Sequence, residues 1–160
     1  MIQATARVLR NVIEMEVGGE VWTCRPVSGS EAQTGISRRI ALLFSTTYET
    51  LRTTDGGKVH STVSYQPKKD EILIQVGEQK WHTRSSVFGP MTFEYGDITY
   101  TVSEKLTGRF GILRGDELVA AGELGFRSCS LRDYPAEFEG FLANVVLGYL
   151  IRNLWWAMFR

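Results

Sequence analysis

The chain has 160 residues, 43% of them hydrophobic and 22% charged, which is the composition of one ordinary folded domain spanning residues 1–160. Its 18 Lys and Arg balance its 18 Asp and Glu, so no net positive field favours nucleic-acid binding. Cys24 and Cys129 are too few for a disulfide framework and form no CxxC pair, which predicts buried thiols rather than a zinc or redox site.

The first apolar stretch is interrupted by charged side chains. Arg7, Arg10, Glu14 and Glu16 break the hydrophobic run that a secretory signal needs. The sequence therefore predicts a cytoplasmic protein, and only the apolar segment near residue 160 raises the question of membrane association.

Residues 2–27 have the pattern of a β-hairpin. One long arm, ATARVLRNVIEMEV, is followed by Gly18-Gly19 and a return arm, EVWTCRPV. A helix over residues 3–15 is the alternative, but the β-branched residues of the first arm favour a strand. The polar, small residues 28–35 predict a loop.

The middle of the chain alternates strand-like runs with turn signals. The runs are ISRRIALLFSTTYETLRTT, KVHSTVSY, EILIQV and QKWHTR. Asp55-Gly56-Gly57, the polar segment 66–70 and Gly77-Glu78 separate them, and Pro90 ends the last one because proline cannot donate to a sheet ladder.

The third quarter predicts a β-meander. Its four strand-like segments are MTFEY, ITYTVSEKL, RFGILR and ELVAAGELGF, joined by turns that contain glycine. In total we expect eight to eleven strands over about residues 3–132.

One long apolar helix is predicted over about residues 136–159. Pro135 precedes it, and acidic residues occupy its first turn. Its few small or polar residues recur every three or four positions, so they form one stripe: Glu137, Gly140, Asn144, Gly148 and Arg152.

A helix that is apolar on nearly every side lies either in a protein core or in lipid. In a membrane, Gly140, Asn144 and Gly148 would form a small-residue contact face, but Arg152 would lie in hydrocarbon at a large cost. In a core, a strand would pass close to the glycines and Arg152 would reach a carboxylate or solvent. Because the strands also need a partner for their apolar faces, we favour a β-barrel wrapped around the helix.

The chain resembles the tubby-like superfamily, which includes tubby C-terminal domains, phospholipid scramblases and LURP-one-related proteins. The likeness covers about residues 37–160 and rests on KWHTRSSVFG, on TFEYGDITYTVSEKLTGRFGILRGDELVAAGEL and on YPAEFEGFLANVVLGYLIRNLWWAMF. It implies a β-barrel that encloses a hydrophobic C-terminal helix. Tubby domains bind phosphoinositide headgroups through basic side chains on the barrel surface, but no motif here assigns those roles to particular residues.

No catalytic, cofactor-binding or metal-binding constellation is evident. His60 and His82 are the only histidines, and neither has a cysteine or acid at metal-ligand spacing. No nucleophile motif surrounds Cys24 or Ser85. We therefore expect no enzyme activity and no cofactor.

Local clusters of basic and aromatic residues are the candidate binding surface. We select Lys80, Trp81, Arg84, Phe88, Arg38 and Arg39, because guanidinium and ammonium groups suit lipid headgroups or phosphates. The end of the helix supplies a second candidate, an apolar patch formed by Trp155, Trp156 and Phe159.

These features predict a non-catalytic binding domain of tubby-like type that contacts a membrane phospholipid surface or a protein partner. Two alternatives remain open at this stage. One is a helix-grip or lipocalin-like carrier of a small apolar ligand, and the other is a tail-anchored membrane protein.

Overall fold

The computed structural model describes residues 1–27, 46–85 and 90–157. Within these ranges twelve antiparallel strands form a closed barrel in the order β1-β12-β11-β10-β9-β8-β7-β6-β5-β4-β3-β2. The strands are β1 Ile2–Arg7, β2 Val12–Val17, β3 Glu20–Pro26, β4 Thr46–Arg52, β5 Val59–Gln66, β6 Glu71–Val76, β7 Gln79–Ser85, β8 Met91–Tyr95, β9 Ile98–Glu104, β10 Arg109–Arg114, β11 Glu117–Leu124 and β12 Ser128–Arg132. The predicted class, a mainly β barrel with one long C-terminal helix, is confirmed.

Every strand pairs with its neighbours in sequence, and β1 closes the barrel by pairing with β12 as well as with β2. The expected eight to eleven strands were too few. One missed strand is β12, which has only five residues and presents just two apolar side chains, Cys129 and Leu131, to the interior. So short a segment has little periodicity to reveal it.

The first predicted strand is in fact two strands. A 3-10 turn at Val8–Arg10 and Asn11, whose φ is +52°, reverse the chain between β1 and β2. The buried positions show the break, because even-numbered Ile2 and Ala4 face the core in β1 whereas odd-numbered residues do so in β2. The helix alternative for residues 3–15 was wrong.

The remaining predicted strands and turns from residue 46 onward are confirmed. Ile72 and Ile74 of β6 are fully buried while their neighbours are partly exposed, as the alternating pattern of EILIQV predicted. The predicted loop at 28–35, and the part of the next run before Thr46, lie outside the described residues.

The helix inside the barrel, α1, spans Glu139–Ala157 and follows a single 3-10 turn at Ala136–Phe138. The predicted start at residue 136 is therefore the 3-10 turn, and residues 158–160 lie outside the described residues. Every α1 residue from 141 to 151 is buried, on all sides of the helix. Such burial matches a helix that is apolar all round, since the barrel supplies walls in every direction.

The barrel has two ends. Because successive strands are antiparallel, the turns after odd-numbered strands share one end and the turns after even-numbered strands share the other. We call the end where α1 finishes the C-rim; its described turns are 8–11, 67–70, 105–108 and 125–127. The end where α1 begins is the N-rim, with turns 18–19, 53–58, 77–78, 96–97 and 115–116.

Candidate functional site

A cleft of about 380 Å³ opens on the outer face of the barrel at the junction of β7 and β8. Strands β6 and β7 pair along six positions, from Glu71↔Arg84 to Val76↔Gln79. By contrast, β7 and β8 pair at only three, from Thr83↔Phe93 to Ser85↔Met91. The two strands separate beyond Thr83, and we call the space between them the β7–β8 cleft.

An aromatic side chain of α1 lies behind this separation. The ring centroid of Phe141 is 5.1 Å from that of Trp81 in β7 and 4.3 Å from that of Tyr95 in β8. Trp81 and Tyr95 are themselves 6.0 Å apart. Trp81 and Tyr95 would lie opposite each other if the register that pairs Thr83 with Phe93 continued, so the cluster lies where the pairing has stopped.

Alternate residues of β7 place three basic or titratable side chains on the outer wall of the cleft: Lys80, His82 and Arg84. His82 Nδ1 donates a hydrogen bond to Glu71 Oε1, and Arg84 Nε lies 3.7 Å from the same oxygen. Lys80 is exposed and has no ion-pair partner among the described residues. Among the described residues, Lys80 is therefore unpaired, and Arg84 shares its one nearby carboxylate, that of Glu71, with His82.

The opposite wall is polar and the floor is aromatic. Thr92 and Glu94 of β8 and Thr99 of β9 line the wall, while Trp81 and Phe93 line the floor. This combination suits a ligand that carries both an anionic group and hydroxyls, since cations bind the former and carboxylate or threonine oxygens the latter.

The structure brings three of the six predicted surface residues together, namely Lys80, Trp81 and Arg84. Phe88, Arg38 and Arg39 lie outside the described residues. Sequence reasoning missed His82 as a cleft residue, and it also missed the whole β8–β9 wall. Only the cross-strand register could have identified that wall, because its residues lie eight or more positions away from Arg84 in the chain.

Asn144 and Gly148 of the predicted helix stripe face β5 and β6. Asn144 is 1% exposed; its Oδ1 accepts a hydrogen bond from Ser61 Oγ at 2.6 Å, and its Nδ2 donates to the Gly140 carbonyl oxygen at 3.1 Å. Ser61 Oγ also hydrogen-bonds Thr50 Oγ1. A strand passes close to Gly148, as expected, but not to Gly140, which is exposed and has open space around it.

Arg152 reaches a carboxylate at the C-rim. Its Nε and Nη2 donate to the two carboxylate oxygens of Asp70 at 2.8 and 3.2 Å, and Glu104 lies 3.6 Å from Nη1. These contacts are structural, because they join the last turns of α1 to the β5–β6 turn and to β9.

The predicted apolar patch at the end of the helix is smaller than expected. Trp155 is 2% exposed and packs in the core, whereas Trp156 is 40% exposed and donates its indole N–H to Tyr65 Oη at 2.8 Å. Phe159 lies outside the described residues. The two tryptophans are adjacent in the chain, and adjacent helix positions point about 100° apart. Trp155 therefore faces the core while Trp156 faces outward.

Both thiols are buried, and His60 is half-buried. Burial raises the pKa of Cys24 to about 12 and also raises the pKa of Cys129, so neither is a ready nucleophile. His60 packs edge-on against Trp22, and burial together with Arg52 lowers its pKa. Among the described residues, no group of three or more His, Cys, Asp and Glu side chains is arranged to hold a metal ion.

In the described parts of the chain, no helix combines the length and apolar character that crossing a bilayer requires.

No model of a known protein family matches this chain, and neither a curated protein nor a solved structure matches it. Membership of the tubby-like superfamily therefore stays a prediction. The barrel around a hydrophobic helix, which that resemblance implied, is the fold observed.

Proposed function

We propose that the protein is a non-catalytic binding domain whose β7–β8 cleft receives a phosphorylated polyol, the chemistry of an inositol phosphate headgroup. The observation that carries this proposal is the projection of Lys80 and Arg84 from one face of β7 into a cleft of about 380 Å³. That volume is within the range of small-ligand sites.

Phosphate is the anion that best fits the basic wall. A guanidinium presents parallel N–H groups that match two phosphate oxygens, and an ammonium adds a compact positive charge. Arg84 is 74% exposed and its ion pair with Glu71 is loose at 3.7 Å, so its remaining donors are accessible. Lys80 adds a second charge four residues away on the same face of the strand.

A polyol is the carrier that best fits the remaining lining. The hydroxyls of Thr92 and Thr99 can donate hydrogen bonds to ligand hydroxyls or accept them, and the Glu94 carboxylate can accept them. The indole of Trp81 offers an apolar surface to a ring. Glu94 would oppose a fully anionic ligand, which favours a headgroup with free hydroxyls over inorganic phosphate. The resemblance to tubby domains, which bind phosphoinositide headgroups, supports the same ligand class.

The alternative carrier function is less well supported. A lipocalin-like protein holds its ligand inside the barrel, whereas here the buried face of α1 occupies the interior. In the described part of the chain, no specific feature favours a protein as the partner of this domain.

Calorimetric titration with soluble inositol trisphosphate and sedimentation with phosphoinositide vesicles test the proposal and separate a free ligand from a lipid one. We expect Arg84→Gln to weaken binding about tenfold or more, because a charged hydrogen bond is lost. Glu94→Gln should strengthen binding, because a repelling charge is removed.

The matched control is Arg109→Gln. Arg109 is also 74% exposed and lies 3.8 Å from a carboxylate, Glu123, but it is on β10, away from the cleft. If neither ligand binds, or if Arg84→Gln and Arg109→Gln weaken binding equally, the cleft is not the site.

A further inference from the structure

The turns at the two rims carry opposite charge. The four described C-rim turns contain five exposed cations: Arg10, Lys68, Lys69, Lys105 and Arg127. Their one carboxylate, Asp70, is paired with Arg152. The five N-rim turns contain four carboxylates, Asp55, Glu78, Asp97 and Asp116, and one cation, Lys58. The described turns are thus polarised along the barrel axis, although the whole chain has zero net charge.

The C-rim turns also expose single large apolar side chains beside those cations. Leu9 is 103% exposed, Leu106 110% and Phe126 70%. Each is the immediate chain neighbour of a cation, Arg10, Lys105 and Arg127 respectively, and the Arg127 guanidinium lies 5.4 Å from the Phe126 ring centroid.

The exposed apolar residues of the strands are placed differently. Val21, Val59, Ile98 and Leu118 lie in strands and are between 38% and 59% exposed. Scattered residues of this kind are ordinary on protein surfaces, whereas apolar residues at the tips of turns project beyond their neighbours.

Direct contacts hold the C-rim turns together with the end of α1. The Ala6 N–H donates to the Arg127 carbonyl oxygen at 2.8 Å, and the Leu124 N–H donates to the Gly108 carbonyl oxygen at 2.7 Å. The Asn153 side chain donates to the Gly125 carbonyl oxygen at 3.1 Å. The turns at 8–11, 105–108 and 125–127 are therefore fixed relative to one another and to the helix.

We propose that the C-rim docks end-on against an anionic phospholipid bilayer, with Leu9, Leu106 and Phe126 entering the headgroup region and the adjacent cations contacting lipid phosphates. Cations attract the anionic surface over about one Debye length, and separate apolar tips insert between headgroups without needing a complementary pocket. A protein partner would instead favour a contiguous apolar patch with packed neighbours. The C-rim is a separate surface from the β7–β8 cleft, which lies on the side of the barrel.

Sedimentation with phosphatidylcholine vesicles, with and without phosphatidylserine and at low and high salt, tests this surface. We expect binding that requires phosphatidylserine and falls with salt. Lys105→Gln should weaken it about fivefold, the effect of one cation near an anionic surface. Phe126→Ser should weaken it about tenfold through lost apolar insertion.

The controls are one variant at the N-rim and one in a strand, and both should bind vesicles as the wild type does. Lys58→Gln removes an exposed turn lysine at the opposite end, and Leu118→Ser removes an exposed leucine from the face of β11. Absence of phosphatidylserine-dependent binding at low salt overturns the proposal, and so does equal weakening by Lys58→Gln and Lys105→Gln. Phosphatidylserine vesicles carry no inositol headgroup. The proposal for the C-rim and the proposal for the β7–β8 cleft can therefore be refuted separately.

Trp156 reports the orientation independently of affinity. It is 40% exposed at the end of α1, whereas Trp22 and Trp155 are 1% and 2% exposed. Vesicles with a spin-labelled lipid should quench indole fluorescence in the wild type, and Trp156→Phe should remove most of that quenching. Undiminished quenching in Trp156→Phe would overturn end-on docking through the C-rim.

Discussion

At the scale of single residues, two glycines of α1 have opposite surroundings. A Cβ at Gly148 would lie 2.5 Å from Ile72 Cγ2 and 3.3 Å from Val63 Cγ1, and both neighbours are fully buried. A Cβ at Gly140 would meet nothing within 4 Å. The same residue type is therefore required by close packing at one position and dispensable at the other.

We expect Gly148→Ala to lower the free energy of unfolding by about 1–3 kcal/mol, because the added methyl overpacks the core by more than the helix propensity of alanine regains. Gly140→Ala, the matched control, should raise it by up to about 1 kcal/mol. Urea unfolding of both variants gives the comparison. A stable Gly148→Ala variant would mean that β6 does not hold α1 as closely as the structure shows.

At the scale of elements, polar contacts determine how α1 sits in an interior that is otherwise apolar. Asn144 meets Ser61 near the middle of the helix, and Arg152 meets Asp70 near its end. Apolar packing alone tolerates rotation or sliding of a uniformly apolar helix, whereas a buried amide left without its partner is costly. These two contacts therefore select one register of α1 against β5 and β6.

A double-mutant cycle tests this selection. Asn144→Ala and Ser61→Ala should each lower the free energy of unfolding by about 1–3 kcal/mol. Ser61→Ala leaves the buried Asn144 Oδ1 without its donor, and Asn144→Ala removes one of the two side-chain hydrogen bonds of Ser61 Oγ and leaves a cavity. The double variant should lose less than the sum of the two, with a coupling of about 1 kcal/mol. Additive losses in thermal or urea unfolding would show that the hydrogen bond does not fix the helix.

At the scale of the whole molecule, the barrel and the helix depend on each other. The inward faces of the strands and every side of α1 from 141 to 151 form one core. Closure also joins the two ends of the β region, since β1 pairs with β12. The barrel therefore closes only when both ends of the β region are present, and α1 fills its apolar interior.

A chain that ends at Asp133, which lacks α1, should consequently fail to fold. We expect its circular dichroism to lack a cooperative unfolding transition and the protein to aggregate through its uncovered apolar faces. A chain that ends at Ala157 is the control and should unfold cooperatively. A folded and soluble chain ending at Asp133 would contradict the dependence of the barrel on α1.

The sequence by itself determined the elements that have strong local signals. The apolar helix, the glycine turns of the meander and the alternation of Ile72 and Ile74 all follow from periodicity and turn chemistry, which act within a few residues. The break at Asn11 and the five-residue β12 were missed because their signals are short. Lys80, Trp81 and Arg84 were found because they are neighbours in one strand.

Only the tertiary structure decided which distant residues meet. The wall of the cleft opposite β7 comes from β8 and β9, and the partner of Asn144 is 83 positions away in the chain. Composition gave a neutral chain and no electrostatic field, whereas the described turns carry mostly cations at the C-rim and mostly carboxylates at the N-rim. That sorting depends on strand parity, because each additional strand moves all later turns to the other end. The sequence pattern left the number of strands open, so it could not assign any turn to the C-rim or to the N-rim.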